Sequence, residues 1–233
     1  MLEVEGFESC YGNSRALSDF SIRLAAGEVL CLLGRNGAGK TTALKSIMGI
    51  VRPRAGRLRL EGRDLTALAP HEIPRQGIGY VPQGRRLFAE LTVRENLEIG
   101  LMTRRTGARA LKRVLELFPI LAERLGQRAA TLSGGEQTML AIGRALCIEP
   151  KVILLDEPTE GLMPSMIAAI REVILRLRAE GVAVLLVEQR VDAVLAVADR
   201  VAFMENGTLR ETVGIDRVRS DETLLLRYVG VGH

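Results

Sequence analysis

Three short segments of the chain are almost continuously apolar: Val29-Leu30-Cys31-Leu32-Leu33, Val152-Ile153-Leu154-Leu155 and Val182-Ala183-Val184-Leu185-Leu186-Val187. Such runs leave no face for water, so they predict strands covered on both sides and, together, a central parallel sheet. A period of two holds instead at Leu2/Val4, Phe20/Ile22/Leu24 and Leu58/Leu60, the last pair set between Arg57, Arg59 and Glu61. That alternation predicts half-buried strands, here an antiparallel layer. Helical patterns run from Lys40 to about Gly49 and from Ser165 to Glu180, with Gly181 as the C-cap of the second. Strands alternating with helices predict α/β layering. Between about Thr92 and Cys147 no strong strand pattern occurs. Helix-like stretches at 108–118 and 135–147, with Pro119 as a breaker, predict an inserted helical subdomain there. Asn206-Gly207 predicts a hairpin, and the chain from Gly214 onward an accessory helix. The expected layout is one domain: about 1–91 and 148–213 as α/β core with its antiparallel layer, about 92–147 as the helical insertion, and about 214–233 as a tail.

Composition then removes several classes. With 233 residues, 47% hydrophobic and 26% charged, the chain suits one folded domain and is not mainly disordered. Its formal charge of +4 is a mild excess that suits nucleotides or an anionic membrane surface without demanding either. Aromatics make up 3% and Trp is absent, so the stacking residues that grip single strands are missing and no nucleic-acid partner is expected. Cys10, Cys31 and Cys147 show no paired spacing, which points to a reduced compartment. His71 and His233, without a Cys or His cluster, make no zinc site, so any metal should arrive with a phosphate. The apolar runs are too short for a membrane span, and Met1-Leu2-Glu3-Val4-Glu5 lacks the regions of a signal peptide. The expected location is cytoplasmic.

Gly34-Arg35-Asn36-Gly37-Ala38-Gly39-Lys40-Thr41 matches the phosphate-loop pattern in full, between a buried strand and a helix. Glycines let the backbone amides curl around a phosphate, the helix offers its positive end, Lys40 adds a point charge and the Thr41 hydroxyl can ligate Mg²⁺. A plain Gly-rich turn does not explain Lys-Thr at this offset. Asp156 and Glu157 leave the second buried strand together. Beside a phosphate loop, Asp156 suits the metal side and Glu157 suits a base for an attacking water. Leu132-Ser133-Gly134-Gly135-Glu136-Gln137 contains a capping box, Ser133 with Glu136, and also a bare Gly-Gly helix start that could hold a second phosphate.

Taken together, these motifs and Tyr80-Val81-Pro82-Gln83 resemble, in order and spacing over nearly the whole chain, the ATP-binding-cassette (ABC) family of ATPases. The resemblance implies an α/β fold with a phosphate-loop (RecA-like) parallel core sheet, an antiparallel β layer and an inserted helical subdomain. It implies that Gly34, Arg35, Asn36, Gly37, Ala38, Gly39, Lys40, Thr41 and Thr42 hold ATP, with Tyr11 against the adenine. Ser133, Gly134 and Gly135 would close over the nucleotide of a second, head-to-tail ABC ATPase subunit. Thr41, Asp156 and Gln83 would serve Mg²⁺, and Glu157 and Gln189 would be catalytic. Arg85 and Arg86 fit a solvated face as well as a partner contact. Tyr80 and Tyr228 read as packing residues.

Two departures narrow the resemblance. Gln189 stands where most members carry a histidine, and Met163 where an aspartate is usual. A glutamine can bond a phosphate oxygen but cannot become cationic. With the segments 80–88 and 91–97, these departures are similar to the shorter ATPase subunit of branched-chain amino-acid importers; urea and amide importers share much of the pattern. Expected partners are therefore a heterologous cassette, two membrane permease subunits and, indirectly, a substrate-binding protein, with the chain peripheral on the inner face of the cell membrane. A soluble, non-transport ABC ATPase is the alternative.

Overall fold

A computed structural model describes residues 1–104 and 106–230; His233, in the expected tail, lies outside them. In chain order the elements are β1 (Leu2–Tyr11), β2 (Ser14–Leu24), β3 (Val29–Leu33), α1 (Lys40–Ile47), β4 (Ala55–Leu60), β5 (Arg63–Asp64) and β6 (Ile78–Val81). Then follow α2 (Val93–Arg104), α3 (Gly107–Leu117), α4 (Pro119–Glu123), α5 (Gly134–Leu146), β7 (Val152–Asp156), α6 (Pro164–Ala179) and β8 (Ala183–Val187). The chain ends through α7 (Val191–Val197), β9 (Arg200–Glu205), β10 (Thr208–Gly214), α8 (Ile215–Ser220) and α9 (Glu222–Tyr228).

The two hydrophobic patterns correspond to two sheets. The alternating segments form the antiparallel sheet β2-β1-β4-β5, with Val4 opposite both Ile22 and Leu58. The continuous runs lie in a six-stranded sheet, β10-β9-β3-β8-β7-β6, parallel except for the β10 edge. Every residue of β3, β7 and β8 is buried because both faces are covered. Leu30 and Leu32 pack with α1 and the antiparallel layer, including Leu2, Val4, Leu44 and Ile47. Val29, Cys31 and Leu33 face the opposite cluster, built with α5 and α6. Each fully buried Leu, Ile or Val contributes roughly 1.5–3 kcal/mol, so these two clusters hold the sheet rigid beneath its loops.

Helix boundaries follow their local chemistry. Pro164 occupies the first turn of α6 and Gly181, at φ 86°, follows its end. Pro119 ends one helix, as expected, and also opens α4, because its fixed φ suits a first turn. The helix α2 is an addition to the expected stretches. Its buried face is Val93, Asn96, Leu97 and Gly100, too polar to show a 3.6-residue period. The legible signal is a capping box: Glu95 N donates to Thr92 Oγ1 at 3.2 Å, and Thr92 N to Glu95 Oε2 at 2.7 Å. A Cβ on Gly100 would stand 2.4 Å from the Arg144 carbonyl oxygen, which is how closely α2 lies on α5. The tail is two short helices rather than one, broken at Asp221, whose side chain caps α9 through Thr223 N. Tyr228 stacks on Phe203 at 4.8 Å and packs the tail on β9.

The β9–β10 turn joins both sheets to the phosphate loop. Asn206 and Gly207 have φ of 50° and 76°, as a tight hairpin requires. Gly207 N donates to Ala38 O at 2.9 Å, and Ser18 N to Gly207 O at 2.9 Å. A Cβ on Gly207 would lie 2.4 Å from Ala16 O, a backbone atom with no freedom to withdraw. Gly207→Ala is therefore expected to cost about 1–3 kcal/mol through strain and overpacking, lowering Tm by about 2–4 °C per kcal/mol. Because the turn also bonds Ala38, the affinity for a nucleotide that the sequence leads one to expect at this loop should fall about tenfold, which is 1.4 kcal/mol. Thermal melts and nucleotide titration check both; an unchanged Kd would separate the turn from the loop.

Candidate nucleotide site at the edge of the core sheet

After β3 the backbone turns against β9 so closely that a Cβ on Gly34 would lie 2.3 Å from Met204 O. Gly37 and Gly39 take φ of 80° and 102°, and α1 starts at once with Lys40. Its N-terminus has no side-chain cap and no acid in the first turn, so its positive end and free amides face the cleft. Lys40 is 5% exposed, and its Nζ donates to Gly34 O at 2.7 Å and Arg35 O at 3.0 Å. Burial holds its pKa below the ordinary lysine value, against the opposing pull of Glu157 and Asp156. The loop thus presents a desolvated cation above a row of amides, a phosphate cradle.

The acidic side of the cleft comes from the end of β7. Asp156 is 1% exposed and accepts from Thr41 Oγ1 at 3.1 Å. Burial raises its pKa, the Thr41 bond opposes the shift, and Glu157 adds to it. Tyr80, read from sequence as a packing residue, also reaches this carboxylate, with its hydroxyl 3.5 Å from Oδ2. Glu157 takes φ of 51°, unusual for a residue with a side chain and before a proline, and its N–H donates to Val187 O at 2.9 Å. Two amides flank its carboxylate: Gln189 Nε2 donates to Oε1 at 2.7 Å and Gln83 Nε2 to Oε2 at 3.3 Å. Gln83 also donates to Glu160 at 3.1 Å.

Asn36 to Thr42, Gln83, Glu157 and Gln189 line one cleft of ≈ 710 Å³. Arg15, Ala16, Glu160, Asn206 and Gly207 line it too and were not among the sequence candidates. Only the Asn-Gly pair carried a signal, and that signal was for a turn. Tyr11 stands at the end of β1, 51% exposed, opposite Ser14 in the hairpin. Ser133, Gly134 and Gly135 are not part of the lining: they open α5 in the helical insertion, with the expected capping box formed. Arg85 braces that helix within the chain, donating to Thr138 Oγ1 at 3.0 Å and Gln137 Oε1 at 3.1 Å. Met163 is 68% exposed just before α6.

For a metal, the available donors are oxygens: the Thr41 hydroxyl bonded to Asp156, and the amide of Gln83 in the same cleft. Among the described residues no group of three His, Cys, Asp or Glu forms a cage. A partial shell of hard oxygens completed by phosphates and water is the arrangement that suits Mg²⁺.

A family model described as "ABC transporter" matches residues 17–160. At 47% identity over 211 residues, 90% of this chain and 91% of the relative, the chain is similar to the high-affinity branched-chain amino acid transport ATP-binding protein BraG of Pseudomonas aeruginosa. At 35% identity over 237 residues, 99% and 97% of the two chains, it is similar to the lipopolysaccharide export system ATP-binding protein LptB of Haemophilus influenzae. The fold matches a crystal structure of the ADP conformation of an ATP-binding cassette of an ABC transporter, with TM-score 0.84, 31% identity and 99% of each chain covered.

The raised pKa of Asp156 fixes the sign of a pH effect. From the ordinary carboxylate range upward the unfolded chain has lost a proton that the fold retains, so stability falls as pH rises toward the folded pKa. Above that pKa the deficit is constant; below the ordinary value of about 4 it vanishes. Asp156→Asn keeps an acceptor for Thr41 without the charge. It should raise Tm of the nucleotide-free protein at pH 7, with a gain that shrinks toward pH 4, measured as the difference between variant and wild-type melts.

Proposed function

We infer that this chain, an ATPase that belongs to the ABC transporter family, powers an importer of branched-chain or other hydrophobic amino acids. The ATPase reading rests above all on the convergence of Lys40, Thr41, Gln83, Glu157 and Gln189 on one cleft, with Asp156 bonded to Thr41 beneath it. The cargo reading is supported by the 47% identity to BraG across nine-tenths of the chain, together with Gln189 and Met163 at the two departing positions.

In this proposal the triphosphate lies on the amides of Gly37 to Thr42, with Lys40 on its outer phosphates. Tyr11, exposed at the hairpin, offers an aromatic face to the adenine. Thr41, Asp156 and Gln83 would hold Mg²⁺, whose chemistry is to neutralise charge on the phosphates. Glu157 orients an attacking water and takes its proton, while Gln189 holds the carboxylate and can bond a phosphate oxygen. Since Gln189 stays neutral, it stabilises developing charge less than a protonated histidine would. Ser133, Gly134 and Gly135 serve the nucleotide of a second, head-to-tail cassette, heterologous in the cell, so each chain supplies parts of two sites.

Residues 1–91 and 148–213, the insertion 92–147 and the tail 214–233 act as one ABC ATPase domain. No helix among the described residues is long and apolar enough to cross a membrane. In this proposal, supported by the similarity to BraG, the chain works from the inner face of the cell membrane on two separate permease subunits, to which a substrate-binding protein delivers the cargo.

Glu157→Gln should bind ATP normally and lose turnover by about 10²–10⁴-fold, the usual contribution of a positioned base. Phosphate release and nucleotide titration check it; near-normal turnover would remove Glu157 from the role. Detergent extracts should yield two permease chains and a second cassette with this chain. Co-purification with an export assembly, or with no membrane protein, would overturn the importer reading.

A further inference from the structure

We propose that Glu188 is a positioning residue for hydrolysis: its carboxylate clasps Thr159 and so holds the segment that follows Glu157 against the segment that carries Gln189. The proposal rests on the roles of Glu157 and Gln189 given above.

Glu188 is 2% exposed, yet every donor it meets is neutral. Its Oε1 accepts from Thr159 Oγ1 at 2.7 Å and from Thr159 N at 3.2 Å, and its Oε2 from Gln189 N at 3.3 Å. The neighbouring cation, Arg190, pairs with Asp192 instead, at 2.7 Å. A carboxylate buried without a cation is costly, and burial together with the charge of Glu157 raises its pKa. At the end of a strand as apolar as β8, a residue of this kind needs a reason.

The surrounding bonds supply one. Three successive residues of one segment reach across to the other: Val187 O accepts from Glu157 N at 2.9 Å, Glu188 holds Thr159, and Gln189 donates to Glu157 at 2.7 Å. Thr159 is also where the next turn starts, with Leu162 N donating to its carbonyl at 3.3 Å. Packing behind this segment is incomplete. A cavity of ≈ 200 Å³ between α6 and α7 is lined by both Thr159 and Glu188. The bond between Gln189 and Glu157 is exposed and therefore weak alone. A buried, charge-assisted clasp one residue away keeps its two ends within reach.

The test is a double-mutant cycle on the full chain, with steady-state phosphate release and ATP titration. Glu188→Ala and Thr159→Val should each lower kcat about tenfold, with KM and ATP Kd within about twofold. The double variant should be no slower than either single one, because both remove the same bond. Glu188→Gln keeps an oxygen for Thr159 and should restore kcat to within about threefold. Losses that multiply in the double variant, a wild-type kcat in Glu188→Ala, or a rise in KM alone would overturn the proposal. Should Glu188→Ala fail to fold, the near-isosteric pair carries the test: Thr159→Val must be slow and Glu188→Gln must not. The two readings fail separately. Silent Glu188 and Thr159 variants beside an inactive Glu157→Gln sink only the clasp, whereas an active Glu157→Gln sinks the role of the base.

Discussion

The cleft depends on β6, β7, β8 and β3 lying parallel and adjacent, so that four segments leave the sheet at one edge. The register shows how closely they meet: Val81 is opposite Leu155, and Val187 is opposite both Asp156 and Leu32. Each crossover returns the chain to the same end of the sheet, as parallel pairing requires. Gln83, the phosphate loop, Asp156 with Glu157, and Glu188 with Gln189 thus share one rim although up to 155 residues separate them, from Gly34 to Gln189. Such a rim is where open α/β sheets bind ligands.

That rim is energetically poor and the faces below it are rich. Lys40, Asp156 and Glu188 are charged side chains taken out of water, and Glu157 holds a backbone conformation that side chains disfavour. Each is a local cost of the kind that persists only where the surroundings over-determine the structure. Here the surroundings are two apolar clusters on either face of the same sheet. The site is thus held by packing on both faces of the sheet, an arrangement that suits catalysis by fixed charges and dipoles.

The helical insertion is tied to this rim through a strained loop. Gly84, Arg85 and Arg86 all take positive φ, at 74°, 65° and 49°. The Arg85 side chain docks on the first turn of α5 beside Gly134, while Arg144 from the last turn of α5 donates to Arg86 O at 2.8 Å. Gln83, which touches Glu157, is thereby two residues from the brace that positions Ser133 to Gly135. A shift of Gln83 in the cleft thus has a short covalent route to the first turn of α5.

Much of this was legible in the sequence, for a local reason. Strands buried on both faces write themselves as unbroken apolar runs, half-buried ones as alternation, and a phosphate loop needs its glycines, lysine and threonine at fixed offsets, so Gly34 to Thr41, Asp156 and Ser133 with Glu136 could be found without coordinates. The helix α2 was not found because its buried face carries Asn96 and Gly100, which pack well but break the hydrophobic period. Tyr80 against Asp156, Arg85 on α5 and Glu188 on Thr159 were out of reach for another reason. Their partners lie 76, 53 and 29 residues away, and a side chain's type does not state which distant hydroxyl or amide it will meet. The sequence by itself determined the segments and the chemistry that each carries; strand order and parallel register, which exist only when the chain is packed, decided which of those chemistries face one another.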